Sequence, residues 1–216
     1  MRRMQLRWPG SRRREQSALL LAALEAVDHG WPVLPGARAV RGLFGPCSCG
    51  EPRCPLAGAH PHDPPLAGAT TDARMVQWWW EHRAPGAPVI AATGRTLCAV
   101  SLPAASGARV LTYFAETGVA VGPVLATPSR YALLVAPFTL EDLGALLAER
   151  PWVPGALRYH GPGGYVLLPP SQTGAGGVHW VSAPGDGEVW LPQVGPLLEG
   201  LIAASVAESD GSPLSY

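Results

Sequence analysis

Leu19, Leu20, Ala23, Leu24 and Val27 recur at helical spacing, with Glu25 and Asp28 on the opposite side. That pattern predicts an amphipathic helix over 15–29, closed by Gly30. A short strand over 31–34 follows and breaks at Pro35-Gly36. Residues 36–69 are rich in Gly and Pro and lack periodicity, so they read as a loop long enough to need pinning. Thr71 is expected to cap a helix through Trp80 or His82, with Asp72, Met75, Val76 and Trp79 in step, ended by Pro85-Gly86. Next come strands over 89–92 and 97–100 around Thr93-Gly94-Arg95, a helix near 107–117 stopped by Gly118, and strands near 123–127 and 131–136. Thr139-Leu140-Glu141-Asp142 opens a capped helix to Glu149. Residues 157–159, 165–168, 178–181 and 189–191 are strand candidates, and 194–207 is a last helix. Helices interspersed with hairpin-like strand pairs, without an internal repeat, make the class α+β in one domain.

Composition narrows the chemistry. The chain has 216 residues, of which 47% are hydrophobic, and this excludes a disordered, solvating chain. All sixteen basic residues are Arg, so lysine Schiff-base and P-loop chemistry are excluded. Sixteen acids balance the total, yet residues 1–14 carry six Arg and no acid, and the stretch from Asp186 onward carries five acids and no Arg. The organisation expected is a basic flexible arm over 1–14, a domain over 15–195, and a C-terminal helix with an acidic tail over 196–216. The arm reads first as a solvated leader and second as a phosphate-attracting segment for nucleic acid. Ser11-Arg12-Arg13 before the apolar run 18–24 resembles a twin-arginine export signal. The run is too short, and Glu25 and Asp28 follow it with no cleavage site, so it reads as a first helix. No stretch of 18 apolar residues is present. The expectation is a cytoplasmic protein with no membrane partner.

Cys47, Cys49, Cys54 and His60 stand within CSCGEPRCPLAGAH, inside a loop over 45–62. Three thiolates and one imidazole suit a tetrahedral, closed and therefore structural zinc site, which would staple the loop. His62 competes for the fourth position. Cys98, alone in an apolar strand, reads as a buried small hydrophobe.

The order of further motifs is informative. After Gly30-Trp31-Pro32-Val33 and the Cys/His segment come Ala69-Thr70-Thr71-Asp72, Trp78-Trp79, Ala92-Thr93-Gly94, Thr127-Pro128-Ser129 and Gly163-Gly164-Tyr165-Val166 running to Pro169-Pro170-Ser171. Over about residues 17–182 the chain resembles the bifunctional DNA primase/polymerase N-terminal domain of actinobacterial type, within the archaeo-eukaryotic primase superfamily. The resemblance implies a primase/polymerase fold with an RRM-like sheet that binds a nucleoside triphosphate and a template strand. It also implies an Asp-x-Asp pair after the ATG motif, a third Asp before GGYV, and a Ser-x-His-like element after TPS. Two divalent ions that activate a 3′ hydroxyl and stabilise pyrophosphate need such carboxylates.

This chain departs from that pattern. Ala99-Val100-Ser101-Leu102-Pro103 puts Ser101 and Pro103 at the paired acid positions, Arg158 falls at the third, and Leu133 is the simplest match to the family's His. No acid occurs between Glu81 and Glu116 or between Glu149 and Asp186. Mg²⁺ or Mn²⁺ catalysis at that site is therefore not expected. Ser129, Arg130, Arg158 and His160 are the candidates for holding a nucleotide or phosphate. The Gly161-Pro162-Gly163-Gly164 run could cradle phosphate or simply form a tight hairpin turn. Of Trp78-Trp79-Trp80, one or two must face the core, which favours packing over base stacking. Ser101 and Ser129 show no evident His or Asp partner, and no Gly-x-Ser-x-Gly occurs, so nothing points to a hydrolase.

The expected function is a catalytically inactive primase/polymerase-like domain that retains nucleic-acid, nucleotide or protein binding. One alternative is an active DNA primase/polymerase with carboxylates from Asp63, Asp72 or Glu116. The other is a zinc-stabilised scaffold for protein partners.

Overall fold

A computed structural model describes residues 9–40 and 46–206. Residues 1–8 of the basic arm, 41–45, which reach the first position of the loop expected to bind zinc, and 207–216 of the acidic tail lie outside the described residues. The chain divides into two compact units. One holds the described residues up to Ala91 together with Leu167–Ala175, and the other holds Ala92–Val166 and the described residues from Gly176 onward.

In the first unit, helix α1 (Pro9–Asp28) starts inside the segment expected to be a flexible arm. Proline suits a first helical position, where its missing N–H is no loss. Leu19, Ala23 and Ala26 form the buried stripe. The helix closes with Trp31 N–H donating to Ala26 C=O and Gly30 N–H to Val27 C=O, a reverse-turn cap. Strand β1 (Val33–Pro35) pairs antiparallel with β2 (Val89–Ala92), and β7 (Tyr165–Leu168) completes a sheet of order β1-β2-β7.

Asp72, not Thr71, caps helix α2 (Ala73–Trp78) by accepting from Arg74 N–H at 2.9 Å, while Thr70 Oγ1 accepts from Asp72 N–H. The helix then widens into a π turn, Trp79–Arg83, in which Ala84 N–H reaches back to Trp79 C=O. Trp79 and Trp80 are buried and Trp78 is exposed. Trp80 Nε1 donates to Ala87 C=O.

The second unit is built on an antiparallel sheet of order β6-β3-β5-β4-β8. Its strands are β3 (Cys98–Pro103), β4 (Val124–Ala126), β5 (Arg130–Val135), β6 (Arg158–His160) and β8 (His179–Ser182). Residues 189–191 form no strand. Ala136 N–H donates to Pro192 C=O there, and Pro192 has no N–H with which to extend a ladder.

Helices α3 (Ala104–Thr117), α4 (Leu140–Ala148) and α5 (Val194–Val206) supply the rest of the core. Thr139 forms the expected capping box with Asp142. Alternation along β3 sends Cys98, Val100 and Leu102 into one core cluster with Val110 and Phe114 of α3 and Leu197, Leu198 and Leu201 of α5. Helix α5 therefore contributes to this core. Cys98 is fully buried there, as its apolar strand foretold.

Candidate functional site

The sequence candidates gather in both units. In the first, the loop after β1 is sewn down by backbone bonds: Ala37 N–H to His60 C=O, Ser48 N–H to Arg38 C=O, and Gly174 N–H to Ala57 C=O. These ties gather Cys47, Cys49, Cys54 and His60, whose ligand atoms all lie within 4.8 Å of one another. His60 Nε2 stands 3.4 Å from Cys47 Sγ and 3.3 Å from Cys54 Sγ. Tetrahedral zinc with ordinary Zn–S and Zn–N lengths needs a sulfur-to-nitrogen edge of about 3.5 Å, so the spacing fits.

His60 Nδ1 lies 2.8 Å from Pro61 C=O and donates to it, which leaves Nε2 as the ligating lone pair. Burial raises the Cys47 thiol, but backbone bonds from Cys49 and Gly58 and the side chains of His60 and Cys49 outweigh it and bring the pKa down to about 6. Cys54 goes the other way, to about 11, through burial and its Cys47 and Cys49 neighbours, despite a backbone bond from Leu56. Three crowded sulfurs cannot all ionise without a cation among them. The cluster can hold a metal ion such as zinc. His62 is outside it, its ring centroid 6.5 Å from that of His60.

In the second unit, strand register decides which side chains meet. Ser101 lies opposite Arg158 on β6 and Ala132 on β5, and Pro103 lies opposite Arg130. Ser101, Pro103, Arg130, Arg158 and His160 thus share the face opposite the helical core. Ser101 is buried, Arg130 and His160 are half-buried, and Arg158 is exposed.

Arg130 runs back along that face. Its Nε donates to Ser101 Oγ at 3.1 Å, and its terminal nitrogen donates to the carbonyls of Ser101 and Ala156, both at 2.7 Å. Since guanidinium only donates, the serine O–H is left for His160 Nε2, 2.9 Å away. Burial lowers the His160 pKa, and the charges of Arg130 and Arg158 lower it further, against a bond to the Tyr165 backbone. The imidazole is therefore neutral near pH 7, as that hydrogen bond requires. Ser101 has a histidine partner after all, contrary to the sequence reading. Two cations flank the pair where a carboxylate would stabilise an imidazolium, so His160 is a weak base for nucleophilic chemistry.

The model of one family, bifunctional DNA primase/polymerase, N-terminal, matches residues 23–196. The chain belongs to that family. No curated protein and no solved structure matches it.

Within this primase/polymerase domain, several motif residues have structural work. Thr93 clamps the Gly161–Gly164 turn, its N–H donating to Gly164 C=O at 2.9 Å and its Oγ1 to Gly161 C=O at 2.7 Å. Gly94 lies so close beneath that turn that a Cβ would come within 2.5 Å of Pro162 Cα, and its φ of +113° also favours glycine. The turn joins β6 and β7, which belong to different sheets, so it is tight but not a hairpin. Ser171 is fully buried and its hydroxyl accepts from Val89 N–H at 2.8 Å.

Leu133 is not at the site. Its Cα partner is Val100, and it is buried in the helical core on the other face. Ala132 and Arg130 are the β5 residues that face Ser101's side. Ser129 is exposed and lends its carbonyl to Ala104 N–H; the bonds that join Arg130, Ser101 and His160 do not include its hydroxyl. No helix among the described residues is long and apolar enough to cross a membrane.

Proposed function

We propose that this primase/polymerase domain binds phosphate-bearing ligands, a nucleic-acid strand or a nucleotide, on the β6-β3-β5 face and carries out no metal-dependent nucleotidyl transfer there. The observation that carries this reading is the guanidinium of Arg130, held between Ser101 Oγ and two carbonyls. A fixed cation beside Ser101 and Pro103 repels a divalent ion and attracts an oxyanion. Exposed Arg158 adds donors on the same face, while the one N–H of neutral His160 is engaged with the Tyr165 backbone. The carboxylates that a non-standard polymerase site would recruit support the same view. Asp63 pairs with Arg83, Asp72 caps α2, and Glu116 is exposed on α3. An ion held by the Cys/His cluster would be structural zinc, because four protein ligands leave no open position for substrate.

Primer synthesis and extension with Mg²⁺ or Mn²⁺ are expected at background. Binding to single-stranded DNA is expected to weaken steeply with salt and to fall in Arg158→Ala. Robust synthesis lost in Asp72→Ala or Glu116→Ala would overturn the reading. Binding to neither nucleotide nor DNA, with a protein recovered instead, would favour the scaffold.

A further inference from the structure

The first unit holds a cavity of about 360 Å³ that neither motif nor metal explains, with Arg38, Ser48, His62, Asp63 and Arg83 in its wall and glycine and alanine between them. The backbone places each polar group with care. Arg38 and Ser48 are joined twice, by Arg38 N–H to Ser48 Oγ at 2.8 Å and by Ser48 N–H to Arg38 C=O at 2.9 Å. Arg38 Nη1 donates to Pro85 C=O, which anchors one corner of the guanidinium and leaves its other N–H groups without a protein acceptor among the described residues. Ser48 Oγ is used as an acceptor, so its own proton is still to be placed. Arg83 stands at the end of the π turn, the widened helical form that recurs at functional sites, and pairs with Asp63. Two guanidiniums, a hydroxyl and an imidazole thus share the cavity wall with a single carboxylate, and the donors come from four separate segments of chain.

The geometry points to an oxyanion site: a phosphate group bridges Arg38 and Arg83, accepts from Ser48, and takes the place of Asp63 on Arg83. The site lies wholly within the first unit and does not depend on the phosphate-binding face read for the second. The same chemistry is offered by inorganic phosphate, by a nucleoside monophosphate and by the 5′-phosphate of a strand.

The test is calorimetric titration of the full, metal-loaded chain with inorganic phosphate. Adenosine monophosphate, and an oligonucleotide with and without a 5′-phosphate, form the arms that separate the sources. Binding near a millimolar is expected, with Arg38→Ala and Arg83→Ala each weakening it by about tenfold. Asp63→Asn removes the competing carboxylate without emptying the cavity and should tighten binding by about fivefold. Arg158→Ala separates this site from the other face, because it should leave the component lost in Arg83→Ala intact. Phosphate binding that survives Arg38→Ala and Arg83→Ala, or that Asp63→Asn weakens, would overturn the proposal. So would the absence of any binding that depends on these residues at about 10 mM phosphate.

Discussion

The loop over 46–62 and the face of β3 opposite the helical core carry side chains of opposite chemistry toward a metal ion. The loop gathers three thiols and an imidazole within 4.8 Å. The strand presents Ser101 and Pro103, with Arg158 and Arg130 as their partners in register. In the loop, neighbouring sulfurs make sense only with a cation between them. On the strand, a cation is already part of the chain. The lesson is that the donor set at each place fixes what it can hold: three thiols and an imidazole suit a metal ion, whereas a serine flanked by guanidiniums does not.

The largest effect that could break this contrast is in the loop. One zinc per chain is expected by elemental analysis. Chelation or Cys54→Ser should release it and lower Tm by on the order of 10 °C, because metal binding and loop folding are one event. A metal-free chain that melts like the wild type would remove the first half of the comparison.

Next is Arg130→Ala. The carbonyls of Ser101 and Ala156 would lose a charged donor in a half-buried setting, and the Ser101 hydroxyl would lose its orientation. Denaturant unfolding should show a loss of about 2–3 kcal/mol. A loss below about 0.5 kcal/mol, the range of ordinary surface substitutions, would mean that the guanidinium is not held by these three acceptors.

These residues also mark how far the sequence can be read. The Cys/His spacing named the residues that could hold a metal ion but left His60 and His62 as rivals, which only the folded loop separates. Helix periods and caps located most elements. Thr71 for Asp72 was a one-residue slip without consequence. A single step matters more on a strand. Residue 133 points into the helical core and residue 132 out of it, because side chains alternate faces, so the position matched to the family's His lies on the face away from Ser101. The Ser101–His160 contact joins residues 59 apart and depends on β3–β6 pairing, which no local pattern encodes. Arg158-x-His160 was the available signal: two residues apart on a strand, they had to share a face.

The third effect follows from His160. Its folded pKa lies below the ordinary value, so between that ordinary value, about 6.5, and the lower folded one the unfolded chain binds a proton that the folded chain does not. Stability is therefore full above about pH 6.5 and declines as pH falls through that window. His160→Asn should flatten this part of the pH profile. A stability that rises on acidification over the same range, through His160, would reverse the sign and exclude a neutral imidazole beside Arg130.

Arg158→Ala should have the smallest effect on stability, within about 0.5 kcal/mol, since the side chain is exposed. Its value is as a probe of the field on the strand face. Burial is the first cause of the low His160 pKa, Arg130 the second and Arg158 the third. Removing Arg158 alone should therefore raise the His160 titration by NMR towards the ordinary value without restoring it. The same substitution should weaken DNA binding and make it less sensitive to salt, because one phosphate-neutralising charge is gone. If the His160 resonance does not move, the guanidinium of Arg158 is directed away from this face. The cationic character of the site would then rest on the fixed guanidinium of Arg130 alone.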